Sequence, residues 1–337
     1  MNILLTGGSG YIGSHAAVLF LEAGHKVILY DNLVNSNYAV VENIKLITGK
    51  EIYFVEADIR DTAFLTDIMN RHEIDAVIHF AGLKSVGESV ENPIEYYANN
   101  VQGSISLIQA MTSANIKSLV FSSSATVYGI PERLPIDEQH PTGCNNPYGR
   151  TKLQIEEILA DLALSDPSWK IVRLRYFNPV GAHESGLIGE QPNGVPNNVM
   201  PYITQVALGI RDKLKVFGDD YPTVDGSGVR DYIHVMDLAE GHLAALKYIT
   251  NTNVCGCHDF NLGTGTPYSV LELVSAFERS TGHNVTYSIA PRRQGDVAIC
   301  YANVDKAKKI LGWEAKRSLS DMCASAWNFQ LRLRSKK

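Results

Sequence analysis

The sequence predicts an α/β fold, with a Rossmann-type doubly wound parallel sheet followed by a second, smaller α/β domain. Three observations point there. Short β-branched or apolar runs alternate with longer helical patterns through the first half, as in parallel sheets flanked by helices. A glycine-rich turn joins the first run to the first helix. After Phe177 the texture changes: Asn178-Pro179, Gly181, Gly186, Pro192, Gly194 and Pro196 crowd together, reading as a long functional loop or a domain boundary.

Taken in order, the expected strands are Ile3–Thr6, Lys26–Tyr30, Ile52–Glu56, Ala76–Phe80, Leu119–Ser122 and Ile171–Arg175. The helical stretches between them are Tyr11–Ala23, Ala63–His72, Pro93–Ala114 and Tyr148–Leu164. The first domain therefore covers 1–177 and the second 178–337, with a segment near 231–255 able to pack back on the first. Helical patterns in the second part fall near Val199–Gly209, Asp237–Ile249, Val270–Arg279 and Lys306–Leu311.

Composition bounds the function. The chain has 337 residues, a net charge of −6, 45% hydrophobic and 20% charged residues. This is an ordinary globular balance, large enough for a core without disulfides or structural metals. Neither half is strongly basic, which argues against a nucleic-acid partner. No run approaches the ~20 apolar residues of a membrane span, and the N-terminus lacks a basic region ahead of its apolar run. The five cysteines are odd in number and scattered. A reducing, cytoplasmic setting is expected. Cys255-Gly-Cys257 lacks a second pair at zinc spacing, so no metal site is expected.

The first strand runs into Gly7-Gly8-Ser9-Gly10-Tyr11-Ile12-Gly13, and Gly8-x-Gly10-x-x-Gly13 fits the dinucleotide fingerprint. Its glycines allow a tight turn, close approach of a pyrophosphate and helix–strand packing, and the helix N–H groups face the phosphates. Asp31 ends the second strand about 18 residues beyond Gly13, near the ~20-residue spacing of the acid that holds the ribose hydroxyls. A carboxylate there repels a 2′-phosphate, so NAD is expected over NADP.

Tyr148-Gly-Arg-Thr-Lys152 sets a phenol and an ammonium at i and i+4 on one helix face, with Pro147 suited to the helix start. Bringing a phenol from pKa ~10 to ~7 takes roughly 4 kcal/mol, which a lysine cation, a nicotinamide charge and a helix N-terminus can share. The strand Leu119–Ser122 ends in Ser123-Ser124 at the carboxyl edge of the sheet, where ligands bind. Ser124 reads as a hydroxyl that bonds the reacting oxygen.

With TGGSGYIGSH, DNL, FVEADIRD, VIHFAGLKSVGES, FSSSATVYG, NPYGRTK, RYFNPVGAH, PNNVMPYI, GVRDYIHVMDLA and APRRQGD in order, the chain resembles the UDP-glucose 4-epimerase family of extended short-chain dehydrogenases/reductases along essentially its whole length. The resemblance implies a tightly bound NAD, held by Gly7, Gly10, Tyr11, Ile12, Gly13, Asp31, Asn32, Leu33, Val34, Asn35, Ser36, Asp58, Ile59, Phe80, Ala81, Gly82, Leu83, Lys84, Asn99, Ser124, Tyr148, Lys152 and Phe177. It implies Tyr148 as the base for the sugar 4-hydroxyl, Ser124 bonded to the same oxygen, and Lys152 on the nicotinamide ribose. For the UDP-hexose it implies Lys84, Ser124, Tyr148, Asn178, Asn198, Phe217, Arg230, Arg293, Asp296 and Cys300. Arginine forks suit a diphosphate. The implied activity is reversible C4 epimerisation of UDP-glucose and UDP-galactose through a 4-keto intermediate, with transient reduction of NAD. A homodimer through the helices near Pro93–Ala114 and Tyr148–Leu164 is implied as well.

Related enzymes that eliminate water carry an acid beside the serine. Here Ala125 and Thr126 stand there, and neither is a general acid at neutral pH. A reductase that exchanges free cofactor and a non-catalytic dinucleotide sensor remain alternatives. The first is separated by cofactor retention, and the second typically lacks the tyrosine–lysine pair that this chain keeps. Some bacterial members of the family carry tyrosine where this chain has Cys300. The smaller side chain leaves space for an N-acetyl group, and the expected substrates extend to UDP-GlcNAc and UDP-GalNAc.

Overall fold

The strand β1 (Asn2–Thr6) buries four of its five residues, as expected of a strand covered on both faces. It pairs in parallel with β2 (Lys26–Asp31), which pairs with β3 (Tyr53–Glu56). On its other side lie β4 (Ala76–His79), β5 (Ser118–Ser122) and β6 (Lys170–Tyr176), again parallel. The computed structural model describes residues 1–335 except 193, 252 and 294.

Side chains alternate across this sheet. Ile3 and Leu5 join one core, under helices α1 (Tyr11–Glu22) and α2 (Ala39–Thr48), while Leu4 and Ile28 join another. The second core lies under α3 (Thr62–Arg71) and two longer helical stretches. One runs from α4 (Val86–Glu91) through α5 (Pro93–Tyr96) and a π-helical turn, Tyr97–Gln102, into α6 (Gly103–Ser113). The other is α7 (Pro147–Ser165).

The stretch expected as one helix over Pro93–Ala114 therefore carries a widened turn at its middle. Wide turns of this kind cluster at functional sites. Here the turn leaves Asn99 in the cleft described below and buries Asn100. The Asn100 amide accepts from the Leu83 N–H (2.8 Å) and donates to the Leu83 carbonyl (3.0 Å) and Thr151 Oγ1 (3.1 Å).

Beyond residue 177 the chain forms β7 (Asn178–Val180), α8 (Val199–Ala207), β8 (Leu214–Phe217) and β9 (Val229–His234). Thus Asn178-Pro179, expected within a loop, is a short strand; among the described residues it pairs only with β9, and proline is tolerated at such a position. The chain then returns to the first sheet. Helix α9 (Val235–Ile249) supplies Leu238, Ala239, Ala245, Leu246 and Ile249 to the core under α1, and β10 (Gly256–Leu262) pairs with β6 as the seventh strand.

Strands β11 (Pro267–Ser269), β12 (Tyr287–Ala290) and β13 (Ile299–Cys300) follow, with helices α10 (Val270–Thr281) and α11 (Leu319–Ser335). β11, β13 and β7 gather around β9, and β12 pairs with β8. A third core of Met200, Ile203, Leu214, Tyr232, Phe277 and Trp327 joins these elements. The large sheet has the order β10-β6-β5-β4-β1-β2-β3. Its winding reverses between β1 and β4, and ligands bind at the carboxyl ends beside such a switch point. Among the described residues no helix is long and apolar enough to cross a membrane.

Candidate active site

A cleft of about 660 Å³ opens at that switch point. Gly7 sits at φ +67°, and a Cβ there would lie 2.5 Å from the Ala81 nitrogen. A Cβ on Gly13 would lie 2.5 Å from the Gly7 carbonyl oxygen, so the turn and the first turn of α1 pack only as glycine. Helix α1 begins at Gly10 with no side-chain cap and no acidic residue in its first turn. Its partial positive charge is therefore left for an anion at the cleft. The buried Asp31 carboxylate accepts from the Ser9 N–H (3.1 Å), the Leu33 N–H (2.9 Å) and Ser36 Oγ (3.1 Å). Among the described residues no arginine pairs with Asp31, and this donor set fits a dinucleotide without a 2′-phosphate.

Gly7, Gly10, Tyr11, Ile12, Gly13, Asp31, Asn32, Val34, Asn35, Ser36, Ile59, Phe80, Ala81, Gly82, Leu83, Lys84 and Asn99 line the cleft, as do Tyr148 and Lys152. Four other residues expected at the cofactor do not. Leu33 turns at φ +59° to give its N–H to Asp31. Asp58 is held by Arg60 at 2.8 and 2.9 Å, and those hydrogen bonds lower its carboxyl to about 2. Phe177 packs with Val127, Tyr128, Ile136 and Ala302, and Ser124 is buried with its hydroxyl bonded to Tyr148.

Tyr148 is 7% exposed and follows Pro147 in the first turn of α7, which Asn146 caps by accepting from the Gly149 N–H (2.8 Å). Burial pushes the phenol well above its ordinary range. Tyr176 nearby adds to the rise, and a hydrogen bond with Ser124 opposes it. Ser124 Oγ also accepts from Thr126 Oγ1 (3.0 Å) and the Thr126 N–H (3.2 Å), fixing the hydroxyl at the end of β5. Lys152 donates to the Ser122 carbonyl at 2.8 Å and lies 4.8 Å from the centre of the Phe121 ring. Burial lowers its ammonium to about 8, against the field of Glu156. The protein thus brings a phenol, a hydroxyl and an ammonium together at one sheet edge.

Of the residues expected at the UDP-sugar, only Lys84 and Tyr148 line this cleft. Asn198 lies next to it, where its amide and the Lys84 ammonium both donate to Glu190 Oε1, at 2.6 and 2.8 Å. Ser124 lies just past the end of β5, and the others belong to the second part of the chain. Arg293 forms an ion pair with Asp296 at 2.9 Å and lies 4.7 Å from the centre of the Phe217 ring on β8. Arg230 on β9 stands opposite Cys300 on β13 in the ladder, while Asn178 is exposed on β7. Arg230 makes no ion pair among the described residues. Its neighbour Asp231 is instead occupied by the Thr264, Gly265 and Ala302 N–H groups at 2.8, 3.0 and 3.1 Å. Cys300 packs against the same small core as Ala125, the residue after Ser124, and burial raises its thiol to about 11.

The family model described as GDP-mannose 4,6 dehydratase matches residues 4–326. A UDP-glucose 4-epimerase of Bacillus subtilis is 56% identical over 330 residues, covering 98% of this chain and 97% of the relative. The chain belongs to the extended short-chain dehydrogenases/reductases, among the UDP-glucose 4-epimerases. The crystal structure of the Stenotrophomonas maltophila UDP-glucose-4-epimerase with bound NAD and formylated UDP-arabinopyranose has a TM-score of 0.98 at 52% identity, with both chains fully covered. That of the Bifidobacterium longum UDP-glucose 4-epimerase in complex with NAD+ and UDP has a TM-score of 0.96 at 50% identity, again with full coverage.

In this member of the epimerase family, sequence reasoning missed Glu190, Asn100 and Tyr176. Glu190 and Tyr176 line the cleft, and Asn100 holds the Leu83 backbone. Glu190 falls in the turn-rich stretch, where a lone carboxylate gives no periodic signal. Asn100 sits beside the Asn99 that was singled out, and only the widened turn decides which of the two is buried.

Proposed function

We propose that this chain interconverts UDP-glucose and UDP-galactose at C4 with a retained NAD held in the switch-point cleft. The observation that carries the reading is the convergence of Tyr148, Ser124 and Lys152 at the end of β5, beside a glycine-built dinucleotide cradle. When bound, NAD supplies a centre that accepts hydride from C4 and returns it to the opposite face of the sugar.

The protein's residues would do the rest. Tyr148 takes the 4-hydroxyl proton and later returns it, a transfer typically worth 10²–10⁴-fold. Ser124, oriented by Thr126, bonds the same oxygen through the 4-keto stage. Lys152, held by the Ser122 carbonyl and lining the same cleft, would lend its cation to the nicotinamide ribose and the phenol. The glycine turn, the α1 N-terminus and Asp31 hold the cofactor. Arg230, Arg293, Asn178, Asn198 and Phe217 take the UDP moiety. Arg230 is suited to a diphosphate because Asp231 does not engage it. Residues 1–177 with the returning segment hold NAD, and the remainder holds the sugar nucleotide.

The reading extends to UDP-GlcNAc and UDP-GalNAc, supported by the compact Cys300 side chain packed against the Ala125 core. It also includes a cytoplasmic homodimer through α5, α6 and α7. Five free cysteines fit the compartment, and exposed Ile94 and Leu164, at 77% and 80%, fit the interface. Purified protein without added cofactor, incubated with UDP-galactose and UDP-GalNAc and followed by proton NMR, tests both substrate readings. Conversion of both pairs is expected. Failure on UDP-GalNAc, or a Cys300→Tyr variant with an unchanged rate ratio, overturns the acetyl-sugar reading. Failure on UDP-galactose overturns the whole.

A further inference from the structure

Beneath the Ser123-Ser124 turn lies a row of buried charges that the mechanism above leaves unused. Glu156, one helical turn beyond Lys152 on α7, is 1% exposed. Its Oε1 accepts from Ser123 Oγ at 2.6 Å. Arg175 on β6 donates to both carboxylate oxygens from Nε, at 3.0 and 3.1 Å, and from Nη2 to Oε2 at 2.6 Å. The row continues from Arg175 to Asp259 on β10 at 3.1 Å, and Asp259 also pairs with Arg173. Tyr128 accepts from Arg175 at 3.2 Å and donates to Asn261 Oδ1 at 2.6 Å.

Such an array is no economical source of stability, since apolar replacements of buried ion pairs are often neutral or stabilising. Its Glu156 end, however, reaches the reacting centre twice. Through Ser123 it fixes the residue before Ser124. Through space it acts on Lys152, where Glu156 is the one carboxylate among the described residues that favours the ammonium form. The other groups facing Lys152 bring no negative charge. Tyr148 lies on the same helix, Phe121 and the Ser122 carbonyl belong to β5, and His79 on β4 is kept neutral by burial, its pKa lowered to about 3.

We propose that Glu156 is a positioning residue for the epimerisation, its carboxylate locking the Ser123–Ser124 turn and setting a negative charge one helical turn from Lys152. The proposal rests on the reading of Tyr148, Ser124 and Lys152 given above. Because β10 supplies Asp259 and Asn261, the strand that returns late in the sequence completes this support.

The test uses purified holoenzyme, with UDP-galactose conversion followed from pH 6 to 10. Wild type must turn over, and its failure would sink the functional reading rather than this proposal. Glu156→Gln is expected to lower kcat at least tenfold and move the alkaline limb down by about one pH unit, with KM within twofold. Ser123→Ala, which leaves every ion pair in place, is expected to lower kcat several-fold with the limb unmoved. If Glu156→Gln does not fold, Glu156→Gln/Arg175→Gln removes the pair without orphaning either charge. The same downward move of the limb is then expected. Folded, cofactor-containing charge variants with the wild-type limb would overturn the proposal, and so would a Ser123→Ala enzyme with wild-type kcat.

Discussion

Mild acid is expected to unfold this protein through four histidines buried without charge. His15, His79, His234 and His242 are each 3% exposed or less. Burial lowers their imidazoles from 6.5 to about 3, 3, 4 and 4. A histidine with a depressed folded-state pKa binds its proton more readily in the unfolded chain. Its contribution is therefore fully present above pH 6.5 and lost as pH falls towards 3–4. Each costs about 1.4 kcal/mol per pH unit, and four together about 5 kcal/mol per unit. Against a typical stability of about 5–15 kcal/mol, the fold should be lost within about one to three units below pH 6.5. Urea unfolding followed by circular dichroism at half-unit steps from pH 7.5 to 4.5 measures the slope. His242→Gln, which can still bond Ser122, should flatten that slope by about one proton. Stability that stays level between pH 6.5 and 5 would refute the reasoning.

Three further outcomes are expected. Tyr148→Phe should keep the fold and cofactor content while lowering kcat by about 10²–10⁴-fold in the UDP-galactose assay. Asp31→Ala strips the acceptor from the Ser9 and Leu33 N–H groups and from Ser36 Oγ. It should cost about 1–3 kcal/mol of stability and lower the fraction of protein that retains NAD through gel filtration, read by absorbance after acid release. Glu190→Ala frees the Lys84 ammonium and the Asn198 amide, which must then be re-ordered on binding at about 0.5–1.5 kcal/mol each. The expected result is a KM for UDP-galactose raised about tenfold with kcat largely kept.

The first six strands and the glycine turn were legible because parallel strands buried on both faces read as unbroken apolar runs, as in Ile3-Leu4-Leu5 and Val27–Tyr30. The helices bearing Tyr11 and Tyr148 were legible from their start signals. Helix α2 was not, since it buries only Val41 and Ile44 and leaves little periodicity to read. The strand β10 was hidden for a different reason. It reads Gly-Cys-His-Asp-Phe-Asn-Leu, with Asp259 and Asn261 spent on Arg173, Arg175 and Tyr128, so its polar residues mask a strand of the main sheet. At the site, local motifs named the residues that line the cleft well. They could not report that Arg230 and Cys300 lie apart from it on other strands, or Arg293 between β12 and β13, because that depends on pairings such as β13 with β9. Nor could they find Glu190, whose role comes from two donors distant in the chain.

The central claim is that Tyr148, Ser124 and Lys152 support hydride removal from C4 and its return within one closed site. UDP-galactose incubated in D₂O with purified protein and no added cofactor, read by proton NMR, tests it most directly. Equilibration with UDP-glucose with no deuterium at C4 is the predicted result. Deuterium at C4, or turnover that starts only when NAD is supplied in every cycle, would contradict it.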